Sequence, residues 1–162
     1  MQITDAHWIR FRKLFADSFL TSFHYTFAAV GEDGTPRATP IGSLILRPNR
    51  TGFYFEEYAS GLRKNLEKNK RVCILAVKTS RWLLLKSLFL GRFTEPPAVR
   101  LMGTAGERRD ATDDEIRMFR RRVAPLRMLR GHDMLWKNLK YVRDISFDSF
   151  EPVHVGVLTS GR

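Results

Sequence analysis

Apolar positions in this chain alternate between helical and strand spacing, and each switch is marked by a cap or a turn. Trp8, Phe11 and Phe15 recur at helical spacing behind a cap at Thr4 or Asp5, which predicts a first helix over Thr4 to Phe15. The spacing then drops to two, so Phe23, Tyr25, Phe27 and Ala29 share one face of a strand over Phe23 to Val30. Gly31-Glu32-Asp33-Gly34 carries the Asp-Gly hairpin signal, and Pro36 to Leu46 reads as the returning strand. Pro48-Asn49-Arg50 is a second turn, leading into a third strand over Gly52 to Glu56. Val72 to Val77 is apolar on both faces, which suits a strand covered on two sides. Ala98 to Glu107 is a further strand, with Gly103 and Gly106 marking a bend or bulge. Thr112-Asp113-Asp114-Glu115 is a capping box that opens a second long helix. Ile116, Phe119, Val123 and Leu126 form its apolar stripe, and Pro125 bends it or ends it early. Tyr141 to Phe150 and Val153 to Leu158 read as the final strands. With no repeat or low-complexity segment, residues 1–162 read as a single β-rich α+β domain, and short strands joined by tight turns point to a small barrel.

Between two of the strand-like runs lies Ser60-Gly61-Leu62-Arg63-Lys64-Asn65-Leu66-Glu67-Lys68-Asn69. Ser60 is placed to cap a short helix whose Leu62 and Leu66 share one face. Gly61 bares the backbone at the helix start, and Arg63 and Lys64 add positive charge in its first turn. Free N–H groups, the positive end of the helix dipole and two cations together favour an anion, with phosphate the leading candidate. The same residues also read as an ordinary short helix with a solvated basic face.

Composition narrows this picture. An apolar fraction of 43% with 12% aromatic residues argues for a packed core, and 162 residues are enough to bury one. The single cysteine, Cys73, excludes an intramolecular disulfide and a cysteine-based zinc site, and its apolar neighbours make it a buried small hydrophobe. Met1 to Lys13 carries polar and charged residues where a signal peptide needs an apolar run, so a cytoplasmic location is expected. The 28 basic and 17 acidic residues give a formal charge of +11. That favours anionic partners such as phosphorylated cofactors, nucleic acid or acidic lipid, without choosing among them.

The order of elements resembles a known family. Phe27-Ala28-Ala29-Val30, Asp33-Gly34-Thr35-Pro36, Pro40-Ile41-Gly42-Ser43-Leu44, Asn65-Leu66 and Asn69-Lys70-Arg71-Val72 are similar to the pyridoxamine 5′-phosphate oxidase-like, flavin-binding split-barrel family. Tyr141-Val142-Arg143-Asp144-Ile145 and Phe150-Glu151-Pro152-Val153 look like that family's last strands. The resemblance implies a six-stranded split β-barrel with flanking helices, paired into a homodimer, with flavin mononucleotide (FMN) in a groove between subunits. By position, Thr39, Pro40, Ile41, Gly42 and Ser43 would flank the ring, and Ser60, Arg63 and Lys64 would face the phosphate. Trp136 and Arg143 would reach the ring from the partner subunit. The implied activity is a flavin-dependent oxidoreductase acting on a small, unidentified substrate; some relatives bind the deazaflavin F420, or haem, or nothing. Where many members enter the helix with Ser-Arg-Lys, this chain has Ser60-Gly61-Leu62, with its cations moved to Arg63 and Lys64. Glu56 and Glu57 end the third strand, and carboxylates there would oppose a dianion unless they point away or pair with arginine.

No acid–base pair or metal-ligand cluster emerges by spacing, and a bound flavin requires none, because the redox chemistry is the cofactor's. His24 alternates with the first strand's aromatic face and reads as a wall or solvated residue; in a haem-binding relative His132 or His154 would be the axial candidates. Arg117, Arg120 and Arg121 lie opposite the second helix's apolar stripe and read as a solvated surface. The competing reading is a non-enzymatic basic module for nucleic acid or membrane, although no nucleic-acid motif is present. Arg81 to Phe93 is an apolar insertion, too short to span a bilayer. It reads as a cover for the dimer or a pocket lid implying an apolar substrate, or else as a peripheral membrane contact.

Overall fold

The computed structural model describes residues 1–57, 59–78, 97–126 and 139–154. The first helix, α1 (Asp5–Ser22), starts at a capping box: Thr4 Oγ1 accepts from the His7 N–H at 3.3 Å, and His7 Nδ1 accepts from the Thr4 N–H at 3.4 Å. It runs past the predicted Phe15 and stops at Phe23, whose left-handed φ of 59° lets its N–H reach the Phe19 carbonyl at 2.9 Å. Phe23 therefore caps the helix and stands exposed instead of opening the strand.

Seven strands follow among the described residues: β1 (Tyr25–Val30), β2 (Pro36–Ile41), β3 (Ile45–Leu46), β4 (Thr51–Phe55), β5 (Arg71–Val77), β6 (Ala98–Asp110) and β7 (Tyr141–Val153). Two further helices, α2 (Ser60–Lys68) and α3 (Asp113–Val123), sit between them. The sheet order is β2-β1-β5-β6-β7-β4-β3, and every pairing is antiparallel. β2 and β3 thus lie at opposite ends of the sheet, yet only Gly42, Ser43 and Leu44 separate them. Four Cα steps reach roughly 13 Å, so the two ends must come together and the sheet curls into a barrel. Ser43 pins the seam: its hydroxyl accepts from the Phe55 N–H at 3.0 Å and donates to the Phe55 carbonyl at 3.2 Å.

Three expectations need correction. Pro36 to Leu46 is two strands, because at Gly42 the chain passes so close to Phe23 that a Cβ would meet its carbonyl oxygen at 2.7 Å. The strand expected over Tyr141 to Phe150 runs on through Pro152 to Val153 as β7; Val155 to Leu158, most of the other expected strand, lie outside the described residues. β5 is covered on one face only. Val72, Ile74 and Ala76 are buried, whereas Cys73 and Leu75 are half-buried and Val77 is exposed.

The barrel core alternates along its strands, with Phe27 meeting Tyr54 at 5.1 Å. α1 packs on it through Trp8–Phe147 (5.4 Å), Phe11–Phe150 (4.8 Å) and Phe15–Tyr25 (5.0 Å). α3 starts at the predicted box, with Thr112 Oγ1 accepting from the Glu115 N–H, and seats Phe119 on Phe55 at 5.4 Å. It gives way to a 3-10 turn at Ala124–Leu126, where Pro125 has no N–H to continue it. The expected bend in β6 is a pair of register shifts, at Met102/Gly103 and Ala105/Arg108. At Gly103 a Cβ would lie 2.5 Å from the Ser146 carbonyl oxygen. Gly103→Ala should therefore force β6 and β7 apart and cost about 1–3 kcal/mol in urea denaturation.

Candidate functional site

The handover from β4 to α2 is built by two buried leucines. Leu62 and Leu66, one turn apart, are 1% and 0% exposed and anchor α2 against the barrel. Ser60 is the first helical residue and not the cap; Ala59 takes that place and offers no side-chain acceptor. The first-turn N–H groups consequently have no side-chain partner from the cap. A Cβ on Gly61 would meet nothing within 4 Å, so the space beside Gly61 is open. Arg63 is half-buried and Lys64 exposed, and among the described residues neither has an ion-pair partner.

Both neighbouring carboxylates are occupied elsewhere. Glu56, 2% exposed, receives Arg143 Nε at 2.9 Å and an Arg143 terminal nitrogen at 3.0 Å, a bidentate pair inside the barrel. The Tyr54 hydroxyl donates to Glu56 Oε1 at 2.8 Å, and Arg108 approaches Oε2 at 3.7 Å. Burial, and then Glu56, hold the Tyr54 hydroxyl far above the usual tyrosine range, so it stays protonated. Burial opposes the Arg143 charge, but Glu56 more than offsets it and raises its pKa. Glu57 turns toward β7, where its Oε1 accepts from the Tyr141 N–H at 2.8 Å and from the Lys140 N–H.

The remaining predicted residues divide. Thr39, Pro40 and Ile41 lie on β2, an edge strand that among the described residues is bonded only to β1. Gly42 and Ser43 continue from it, and the Ser43–Phe55 bonds bring this segment to the end of β4 that leads into α2. Ring-flanking and phosphate-facing candidates are thereby joined at one seam. Arg143 is 1% exposed, with its guanidinium held by Glu56 and by the Gly106 carbonyl at 2.9 Å, and faces the interior of its own barrel. Trp136 and His132 lie outside the described residues, as does the apolar insertion. His24 is exposed, with Nδ1 2.7 Å from the Ser22 carbonyl oxygen, as a solvated residue would be. Cys73 is half-buried on the outer face of β5, and burial pushes its thiol pKa up. Among the described residues no group of acidic, histidine and cysteine side chains is placed to hold a metal, and no helix is long and apolar enough to cross a membrane.

Sequence reasoning missed one further network. Arg109 bonds Asp144 at 2.7 and 2.9 Å and Glu115 at 2.6 and 3.0 Å, and Arg47 bonds the same two carboxylates, with 2.8 Å to Asp144. Only the Thr112–Glu115 box is legible in the sequence, because Asp144 and Arg47 reach the cluster from distant parts of the chain. Burial pushes both carboxyls up, but hydrogen bonds from Arg109, joined by Arg47 at Asp144, outweigh it and leave both below their ordinary values of 4.5 and 3.8. Groups depressed on folding stabilise above their unfolded pKa and lose that contribution as pH falls through the folded value. The melting temperature should stay flat from pH 7 to about 5 and fall below about 4. Glu115→Gln should lower it at pH 7 and flatten that acid limb.

A curled antiparallel sheet whose seam carries a helix start is a split barrel. The family model described as pyridoxamine 5′-phosphate oxidase matches residues 16–145, and the chain belongs to that family. No curated protein matches the chain. Among solved structures it is similar to HupZ of Group A Streptococcus, at 18% identity and a TM-score of 0.57, covering 95% of this chain and 99% of that one. It is also similar to an FMN-binding protein from Syntrophomonas wolfei, at 13% identity and TM-score 0.58, over 93% and 94% of the two chains. A third similar structure is a putative pyridoxamine 5′-phosphate oxidase from Lactobacillus delbrueckii, at 17% identity and TM-score 0.52, over 93% of each chain. At these identities the likeness establishes the fold alone.

Proposed function

We propose that this protein is a flavin-binding oxidoreductase that works as a homodimer, with an FMN phosphate at the start of α2 and the flavin ring along β2. The observation that carries this reading is the helix start itself. It has no side-chain cap, opens onto space at Gly61 and is flanked by Arg63 and Lys64, while Glu56 and Glu57 are bonded elsewhere. A dianion there gains N–H donors, the helix dipole and two cations without meeting a bare carboxylate. The ring, lying against the outer edge of β2, would take its backbone bonds. The flavin supplies the hydride or electron transfer when bound; the chain binds, orients and shields it.

The dimer has its own support. The outer face of β5 carries half-buried Cys73 and Leu75 beside Met102, between the Arg100–Glu151 and Arg71–Asp148 ion pairs, and a second copy would cover this mixed surface. The substrate stays a small organic molecule of unassigned identity, because a fold does not fix an activity.

Absorbance of the purified protein and thermal shifts with FMN, F420 and haemin test the reading. A yellow dimer stabilised most by FMN is expected. Preference for F420 or haemin would replace the cofactor. Colourless protein with no response, but with salt-sensitive DNA or liposome binding, would contradict the whole reading.

A further inference from the structure

A second concave site lies between α1, α3 and the edge strand β3. Its volume is about 410 Å³, within the range of small-molecule pockets. The walls are apolar: Phe15 from α1, Leu44 and Leu46 around β3, and Met118 from α3. The hydroxyl in this lining, on Tyr25, is already satisfied, donating to the Phe15 carbonyl at 2.7 Å and accepting from Arg122. Arg122 is likewise spent: it also bonds the Leu44 carbonyl and lies 3.7 Å over the Phe19 ring, so it builds the wall and is not free for a ligand.

Two other arginines border the same space. Arg12 of α1 and Arg121 of α3 are exposed, and among the described residues neither has a carboxylate partner. Among the described residues, no acidic residue lines the cavity. That separates them from Arg117 on the same helix, which is paired with Asp114. Two free guanidinium forks over a dry apolar hollow suit one kind of guest: an apolar body that fills the hollow and an oxyanion head at its rim. Met118, 43% exposed beside the hollow, would be covered by the same guest.

We propose that this cavity binds an amphiphilic oxyanion, such as a medium-chain or aromatic carboxylate, with Arg12 and Arg121 holding the head group. Leu44, which lines the cavity, directly follows Ser43 of the flavin seam, so the titration is run with and without FMN.

Calorimetric titration of the full-length protein, with and without saturating FMN, tests this using decanoate below its micelle-forming concentration and decanol as the uncharged match. Decanoate should bind the FMN-free protein at least tenfold more tightly than decanol, the ratio expected of a charge-assisted head-group contact. The Arg12→Gln/Arg121→Gln variant should bring decanoate down to the decanol level and leave decanol binding and the melting temperature unchanged; each single variant should lose part of the preference. Equal binding of the two probes would overturn the proposal, as would a preference that survives in the double variant. Failure to bind either probe, with sedimentation on phosphatidylglycerol vesicles, would also overturn it and make this face a membrane contact.

Discussion

Arg143→Leu should cost about 3–5 kcal/mol in urea denaturation, the largest loss expected from any single substitution outside the aromatic core. The side chain is 1% exposed, and its partner Glu56 is 2% exposed. Removing it strands a carboxylate that two guanidinium bonds satisfied, beside a Tyr54 hydroxyl that burial keeps neutral. The Gly106 carbonyl loses its donor in the same step. Arg108, at 3.7 Å from Glu56 and stacked 3.4 Å over the Tyr141 ring, is too far to take the place of a bidentate fork. Replacing the cluster together, as Tyr54→Phe, Glu56→Leu and Arg143→Met, should restore most of the loss, because a packed apolar set has no ion to desolvate. A single variant as stable as wild type would show that Glu56 finds water or another cation.

Arg63→Ala with Lys64→Ala should weaken FMN by about 10- to 100-fold and riboflavin by less than about threefold. The two ligands differ only in the phosphate, so the difference isolates the contribution of the helix start. Most of the loss should come from Arg63, which is half-buried, since the exposed Lys64 is better screened by solvent and salt. Raising ionic strength should therefore reduce the Lys64 share first. Equal losses for both ligands would mean that these cations support the fold or the ring instead.

What the sequence made legible was local. The cap at Thr4, the Thr112–Glu115 box, the Leu62/Leu66 anchor and the irregularity near Gly103 each rest on residues a few positions apart, and each is present in the structure. Ser60 was read as a cap from its residue type, but the backbone placed it one step inside the helix. The break at Gly42 was illegible because it is set by the Phe23 carbonyl, brought there by the left-handed end of α1. Glu56 posed the sharpest problem, since a carboxylate beside a phosphate site argues against the site. Its resolution lies in Arg143, separated from it by 87 residues and brought opposite Tyr54 by the β4–β7 register. The resemblance also places Arg143 at a cofactor across the dimer, while in the structure its guanidinium is held by Glu56. The cavity between α1 and α3 had no local signature, because its walls come from three separate parts of the chain.

A crystal structure of the protein grown with FMN is the most direct measurement. The phosphate should lie within hydrogen-bond distance of the backbone N–H groups at Gly61 and Leu62, with Arg63 beside it, the ring along β2 and a second subunit closing the groove. A phosphate bound anywhere else, or a monomer with FMN excluded from that seam, would contradict the account.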